Sequence, residues 1–112
     1  MNWQIRFTKA AEKDLLQLDG SQRVLVQKAI RKVSQNPLPD YQGGYGKPLA
    51  NMGNSKLAGC LKIKLKAAGI RVVYKLVEID GVMVIIVIGA RADNEVYDIA
   101  QKRIARGLKK NA

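Results

Sequence analysis

The sequence predicts an α+β fold, a small antiparallel four-stranded sheet packed on an N-terminal helical hairpin, in the order β-α-α-β-β-β-α. Three observations carry that prediction. Apolar residues recur at helical spacing in two stretches between Thr8 and Asn36. Three strand-like runs fill the second half, two of them joined by Asp80-Gly81, a strong hairpin signal because both turn residues tolerate positive φ. Leu61-Lys62-Ile63-Lys64-Leu65-Lys66 alternates with a period of two, so one face of its strand is apolar and the other carries a row of ammonium groups.

Taken in order, Trp3-Gln4-Ile5-Arg6-Phe7 alternates apolar and polar positions and predicts the first strand, closed by Thr8, whose hydroxyl can cap the helix that follows. Ala11, Leu15 and Leu18 form one helical stripe, which Asp19-Gly20 ends. Ser21 can cap the second helix, where Leu25, Val26, Ala29, Ile30 and Val33 keep helical spacing until Asn36-Pro37 forbids continuation. From Asn36 to about Lys56 stand Pro37, Pro39, Gly43, Gly44, Gly46, Pro48 and Gly53, too many backbone breakers for regular structure. This loop, with Tyr41, Tyr45 and Lys47, either folds over a ligand or wraps the domain's edge as a connector, and the second is the plainer reading. Strands are expected over about 59–66, 70–79 and 82–89. The last is apolar on both faces, so it should lie centrally with the helical hairpin covering one side. Asp93 or Asn94 can cap a final helix running to about Gly107, beyond which residues 108–112 read as a flexible tail.

At 112 residues the chain is expected to form a single domain over 1–112, able to bury a core without disulfides or a metal. Apolar residues make up 47% of it, which argues against disorder, and 20 Lys and Arg against 9 Asp and Glu leave a formal charge of +11. That excess favours polyanionic partners without saying which. A membrane is the weakest of them. The longest apolar run, Val82 to Ala90, falls far short of the roughly 20 residues of a spanning helix, and the N-terminus lacks the apolar core of a signal peptide, so the expected location is cytoplasmic. Cys60 stands alone, which excludes an intrachain disulfide and a cysteine zinc cluster, and with no histidine as a base it reads as an ordinary strand residue.

The candidate chemistry lies in the second half. Lys62, Lys64 and Lys66 are spaced roughly 7 Å apart along one strand face, close to the repeat of RNA phosphates, although a half-buried strand also exposes lysine simply to keep an edge soluble. Crowded like charges can lower one lysine's affinity for its proton. Arg71 opens the next strand, where its guanidinium can grip a phosphate through paired N–H groups. Arg91 follows the buried strand after Gly89, with ion pairing to Asp93 or Glu95 as its rival role, and Tyr97 is either a packed helix residue or a member of the site. With no histidine in the chain, RNA cleavage here would leave proton transfer to lysine, arginine and tyrosine.

Read together, Lys62-Ile63-Lys64-Leu65, the turn Ala68-Gly69, Arg71-Val72-Val73-Tyr74, and Gly89-Ala90-Arg91 followed by Glu95-Val96-Tyr97 resemble the RelE family of bacterial type II toxins. The likeness covers most of the chain and is specific from Cys60 to Arg103; in the helical hairpin and in Lys47-Pro48-Leu49 it is one of pattern. The resemblance implies a ribonuclease that enters the ribosomal A site and cuts mRNA by attack of a 2′-hydroxyl on the adjacent phosphate, with no metal or other cofactor. It implies catalytic roles for Lys62, Lys64, Arg71, Arg91 and Tyr97. Lys62 or Lys64 would assist deprotonation, Arg71 and Arg91 would stabilise the phosphorane-like charge, and Tyr97 would stack on a base or help proton transfer. Lys47, Lys66 and Lys75 are further candidate RNA contacts. Ala90 and Asp93 stand where relatives often carry more basic residues, leaving the surroundings of Arg91 less positive. The implied partners are the ribosome with its rRNA, mRNA, and an acidic, helical antitoxin expected on the apolar side of the last helix around Ile99 and Ile104. ParE-type toxins share the fold and bind DNA gyrase without cutting RNA, which is the rival reading, and a non-catalytic module resting on rRNA is a third.

Overall fold

A computed structural model describes residues 3–49, 59–90 and 93–107, with Asp93 and Asn94 described by backbone alone. Strand β1 (Gln4–Phe7) leads into helices α1 (Lys9–Gln17) and α2 (Gly20–Val33). A connecting segment holds a single 3-10 turn (Asp40–Gln42) and ends in a short strand β2 (Lys47–Pro48). Strands β3 (Cys60–Leu65), β4 (Ile70–Val77) and β5 (Val82–Gly89) follow, and helix α3 (Asp93–Ala105) closes the chain.

The sheet differs from the expected four antiparallel strands. Among the described residues it has five, in the order β1-β5-β4-β3-β2, and it is mixed, because β1 runs parallel to β5 with Gln4 opposite Val82 and Phe7 opposite Ile85. The alternation that identifies β1 carries no information about which distant strand it joins or in which direction. β5 is buried along Val82–Ile88 and needs a hydrogen-bonding neighbour on each side, β4 on one and β1 on the other. On the far edge, Lys47 and Pro48 pair with Lys62 and Leu61, so the end of the breaker-rich loop adds the fifth strand.

Each sheet face has its own core. On one, Ala11 and Leu15 of α1 and Val26, Ile30 and Val33 of α2 pack against Leu61, Ile63, Val72, Tyr74, Met83 and Ile85. On the other, Val96, Tyr97 and Ala100 of α3 cover Cys60, Val73, Ile86 and Val87. Burying both faces is what the all-apolar β5 requires. A bulge makes the second core possible: Val73 pairs with Val87 and Tyr74 with Ile85, so Ile86 drops out of the register and Ile86 and Val87 face α3 together. Among the described residues no helix is long and apolar enough to cross a membrane.

Several local expectations need correction. Thr8 does cap α1, its hydroxyl accepting from Ala11 N at 3.1 Å. The cap of α2 is Asp19, not Ser21. Its carboxylate accepts from Gln22 N at 2.8 Å while the Gln22 side chain accepts from Asp19 N, a reciprocal box that starts the helix one residue before Ser21. Those hydrogen bonds, from Gln22 N first and the Ser21 hydroxyl next, hold the Asp19 carboxyl below its ordinary range. Leu25 is 50% exposed because the inward stripe is Val26, Ile30 and Val33, which leaves it one position off the face. The β4–β5 connection spans residues 78–81 rather than two residues, with Gly81 at φ 65°. Ile99 and Ile104, expected on an exposed side, are partly buried against the α3 core.

The connector is fastened to the domain. Tyr74 donates its hydroxyl to Pro37 O at 2.7 Å from inside the core, and burial pushes its phenol far above the ordinary tyrosine range, so it remains a donor. Gly46 lies against that hydroxyl where no side chain fits, and Gly46 N donates to Leu38 O at 3.0 Å. The edge-wrapping reading of this segment therefore holds for residues 36–49; residues 50–58 lie outside the described part.

Candidate active site

The strand alternation decides which cations share a surface. Cys60 is buried in the α3 core, so Lys62 and Lys64, at even steps from it along β3, belong to the α3 face. Cross-strand register extends the row. Lys47 lies opposite Lys62 on β2, Arg71 lies opposite Lys64 on β4, and Lys75 lies opposite Cys60. Residues directly opposed have Cβ atoms roughly 5 Å apart, so these side chains form a two-dimensional cationic array rather than a line. Gly89 is the partner of Arg71 on β5, so that strand leaves the sheet beside Arg71. Arg91 lies outside the described residues.

Tyr97 connects the array to α3. The Lys62 ammonium stands 5.5 Å from the centroid of its ring, an attraction between cation and ring face worth about 0.5–2 kcal/mol. The ring is 5% exposed, packed with Val96 and Ala100 against Val73 and Val87, and its hydroxyl has no hydrogen-bond partner among the described residues. A buried phenol normally finds one. Phenol and ammonium therefore meet at the margin of the array, with the oxygen's bonding capacity unused.

Lys66 does not continue β3. It sits in the turn of residues 66–69, and with Lys64, Gly69 and Arg71 it borders a shallow depression of about 270 Å³ at the end of the β3–β4 hairpin. Arg71 Nη1 lies 3.4 Å from Gly69 O, which draws the guanidinium toward the rim of that depression. Lys64, Lys66 and Arg71 thus surround one concavity, and Lys62 with Tyr97 stands next along the same face. Cys60 takes no part: burial pushes its thiol up and keeps it protonated, with nearby Lys75 only partly opposing the shift. An array of fixed cations over a shallow concavity suits a chain of phosphates, and guanidinium and ammonium groups held on a rigid sheet can oppose charge as it develops there.

Two residues escaped the sequence reading. Asp14 of α1 and Arg103 of α3 form a bidentate ion pair, with Nη1 to Oδ2 at 2.7 Å and Nη2 to Oδ1 at 3.1 Å. No local pattern announces it, because the partners are 89 positions apart.

No protein-family model matches the chain. It is 30% identical over 104 residues to the mRNA interferase toxin RelE of Escherichia coli K12, spanning 93% of this chain and 99% of that protein. A RelE-like toxin protein of Escherichia coli is 28% identical over 107 residues with the same coverage. Among solved structures, a mutant of E. coli RelE in the free state superposes with a TM-score of 0.72 at 29% identity, over 93% of this chain and 99% of that one. The mutant in complex with a peptide of the antitoxin RelB superposes with a TM-score of 0.66 at 27% identity, over 89% and 95%.

Proposed function

The chain belongs to the RelE family of toxins, and on that premise we propose that it enters the ribosomal A site and cuts mRNA there through attack of a 2′-hydroxyl on the adjacent phosphate. Its class follows from the family: the toxin of a toxin–antitoxin pair, an mRNA interferase and so an endoribonuclease, with an antitoxin as its protein partner. The gyrase-binding reading is not favoured, since the relatives at 30% identity are named for action on mRNA. One observation carries the finer proposal: Lys62, Lys64 and Arg71 share a sheet face with a phenol whose hydroxyl has no partner among the described residues.

In this reading Arg71 and Arg91 bind the scissile phosphate and stabilise the added negative charge as the 2′-oxygen bonds to phosphorus and the 5′-oxygen leaves. Lys62 or Lys64, in its neutral amine form, takes the 2′-hydroxyl proton, since the chain has no histidine for the task. No metal ion belongs to this route. Of the two roles open to Tyr97, stacking on a base needs a bare ring, whereas this ring is 5% exposed with Lys62 over it. Proton transfer, or a hydrogen bond that orients Lys62 or the phosphate, fits better. Lys47, Lys66 and Lys75 then hold flanking phosphates or rRNA. The site of action is the cytoplasm, where ribosomes are.

Mapping mRNA ends after expression of the lone chain tests the reading. Cuts that keep phase with codons and vanish when translation is blocked are expected; intact mRNA with damaged chromosomes would turn the assignment to gyrase. Tyr97→Phe gives an independent check, because the variant removes a buried, unpartnered hydroxyl. Its urea midpoint should rise, by about 1 kcal/mol of stability, while cleavage falls about 10²-fold. Loss of stability together with full activity would show that the hydroxyl is a structural group.

A further inference from the structure

We propose that Asp14 and Arg103 are positioning residues of the cleavage site: their ion pair plugs the open edge of β5 and fixes α3 so that Tyr97 stays beneath Lys62. The proposal rests on the ribonuclease reading for its kinetic part and on the geometry alone for the rest.

Pairing between β1 and β5 stops early. The last register pair is Phe7 with Ile85, and Thr8 N donates to Ile85 O at 3.1 Å before the chain turns into α1. From Ile86 onward β5 has lost its outer strand, which leaves backbone groups in need of partners. The ion pair supplies them. Arg103 Nη1 donates to Ile86 O at 2.8 Å, and Asp14 Oδ2 accepts from Ile88 N at 3.0 Å. Acceptor and donor are two residues apart, as along one edge of a parallel ladder, so two side chains stand in for the missing strand. Their side chains are 15% and 24% exposed, in a setting where a planar fork and a carboxylate hold one mutual orientation.

The consequence for the site follows from helix geometry. Val96, Ala100 and Arg103 lie on one stripe of α3, and Arg103 is six residues past Tyr97, about 9 Å along the axis. The apolar packing of α3 is a small core against Cys60, Val73, Ile86 and Val87, and a non-directional contact of that size fixes a slide or a roll less sharply than a hydrogen-bonded fork does. Arg103 removes that freedom by binding Ile86 O, on the very residue that the bulge turns toward α3. A shift of about 1 Å in reacting groups can cost about 10²-fold in rate. Holding α3 at both Tyr97 and Arg103 thus converts a packing contact into a defined place for the phenol.

The test uses the full chain, saturating programmed ribosomes and 3-fluorotyrosine labelling. Arg103→Met keeps the aliphatic stem and loses the fork. It should fold, bind ribosomes with KM within about twofold, and lose kcat about 10²-fold, with Arg103→Lys recovering part of that loss. The Tyr97 fluorine signal, identified by its absence in Tyr97→Phe, should shift or broaden in Arg103→Met. Adding Arg103→Met to Tyr97→Phe should cost less than about twofold more, because both act through the same hydroxyl. Should Arg103→Met fail to fold, Asp14→Asn, which keeps an acceptor for Ile88 N, is read in the same three ways. An unmoved fluorine signal, an unchanged kcat, or losses that simply multiply would each overturn the proposal. If the unmodified chain cuts no mRNA, the ribonuclease reading fails and the fluorine signal alone decides whether the pair positions Tyr97.

Discussion

Replacing Arg71 with alanine is expected to slow mRNA cleavage by about 10²–10³-fold, the usual cost of removing one donor aimed at developing charge, while the circular dichroism spectrum stays unchanged. Arg71 stands across from Lys64 and borders the hairpin depression, and its side chain contributes to neither core cluster. The fold therefore has little to lose. Arg71→Lys separates charge from geometry: a point charge restores part of the rate, but two parallel N–H donors are gone. Combining Arg71→Ala with Arg91→Ala should abolish cutting. A doubly substituted chain that still produces codon-phased ends would remove the arginines from the site, whatever the fate of the lysines.

Gly46→Ala is expected to destabilise the fold strongly. A Cβ there would fall on the Tyr74 hydroxyl and come within 2.7 Å of Leu61 Cδ2 and 2.9 Å of Pro37 O. None of the three can easily step aside, since Tyr74 is fully buried and bound to the backbone oxygen of Pro37, and Leu61 is part of the same core. Overpacking costs about 1–3 kcal/mol, and a broken buried hydrogen bond adds a similar amount. A loss of roughly 3 kcal/mol in urea unfolding is the expected result. Adding Tyr74→Phe to Gly46→Ala removes the nearest obstacle and should recover part of it. Wild-type stability in the single variant would mean that the connector is not held as described. The proposed site should feel the change too, because β2 begins at Lys47 and carries that lysine to its place opposite Lys62.

The two predictions draw on different layers of information. Arg71 stood out before any coordinates, because a strand beginning with arginine follows a lysine-bearing strand across a short turn, and that proximity is local. Gly46 stood out only as one breaker among many. Its constraint comes from Tyr74, far along the chain, and nothing in Tyr45-Gly46-Lys47 hints that a tyrosine hydroxyl will lie against the glycine. Tyr97 falls between these cases. Its sequence left it either packed or in the site and the resemblance implied its role, whereas its burial, the ammonium over its ring and the lack of a partner for its oxygen among the described residues depend on how α3 lies across β4 and β5.

Period and punctuation settled the rest of what could be read in advance. Alternation in β3 put its lysines on one side, helical spacing with Thr8 and Asn36-Pro37 delimited the hairpin helices, and the net charge of +11 pointed to a polyanion. These properties arise between residues a few positions apart, where side-chain direction and backbone conformation are nearly set by local sterics. The parallel pairing of β1, the fifth strand, the bulge at Ile86 and the Asp14–Arg103 plug waited for the tertiary structure. Each satisfies a backbone group or a buried face whose partner lies ten or more residues away, and among many compatible partners only the assembled core, with its limited space and few unmet hydrogen bonds, makes the choice.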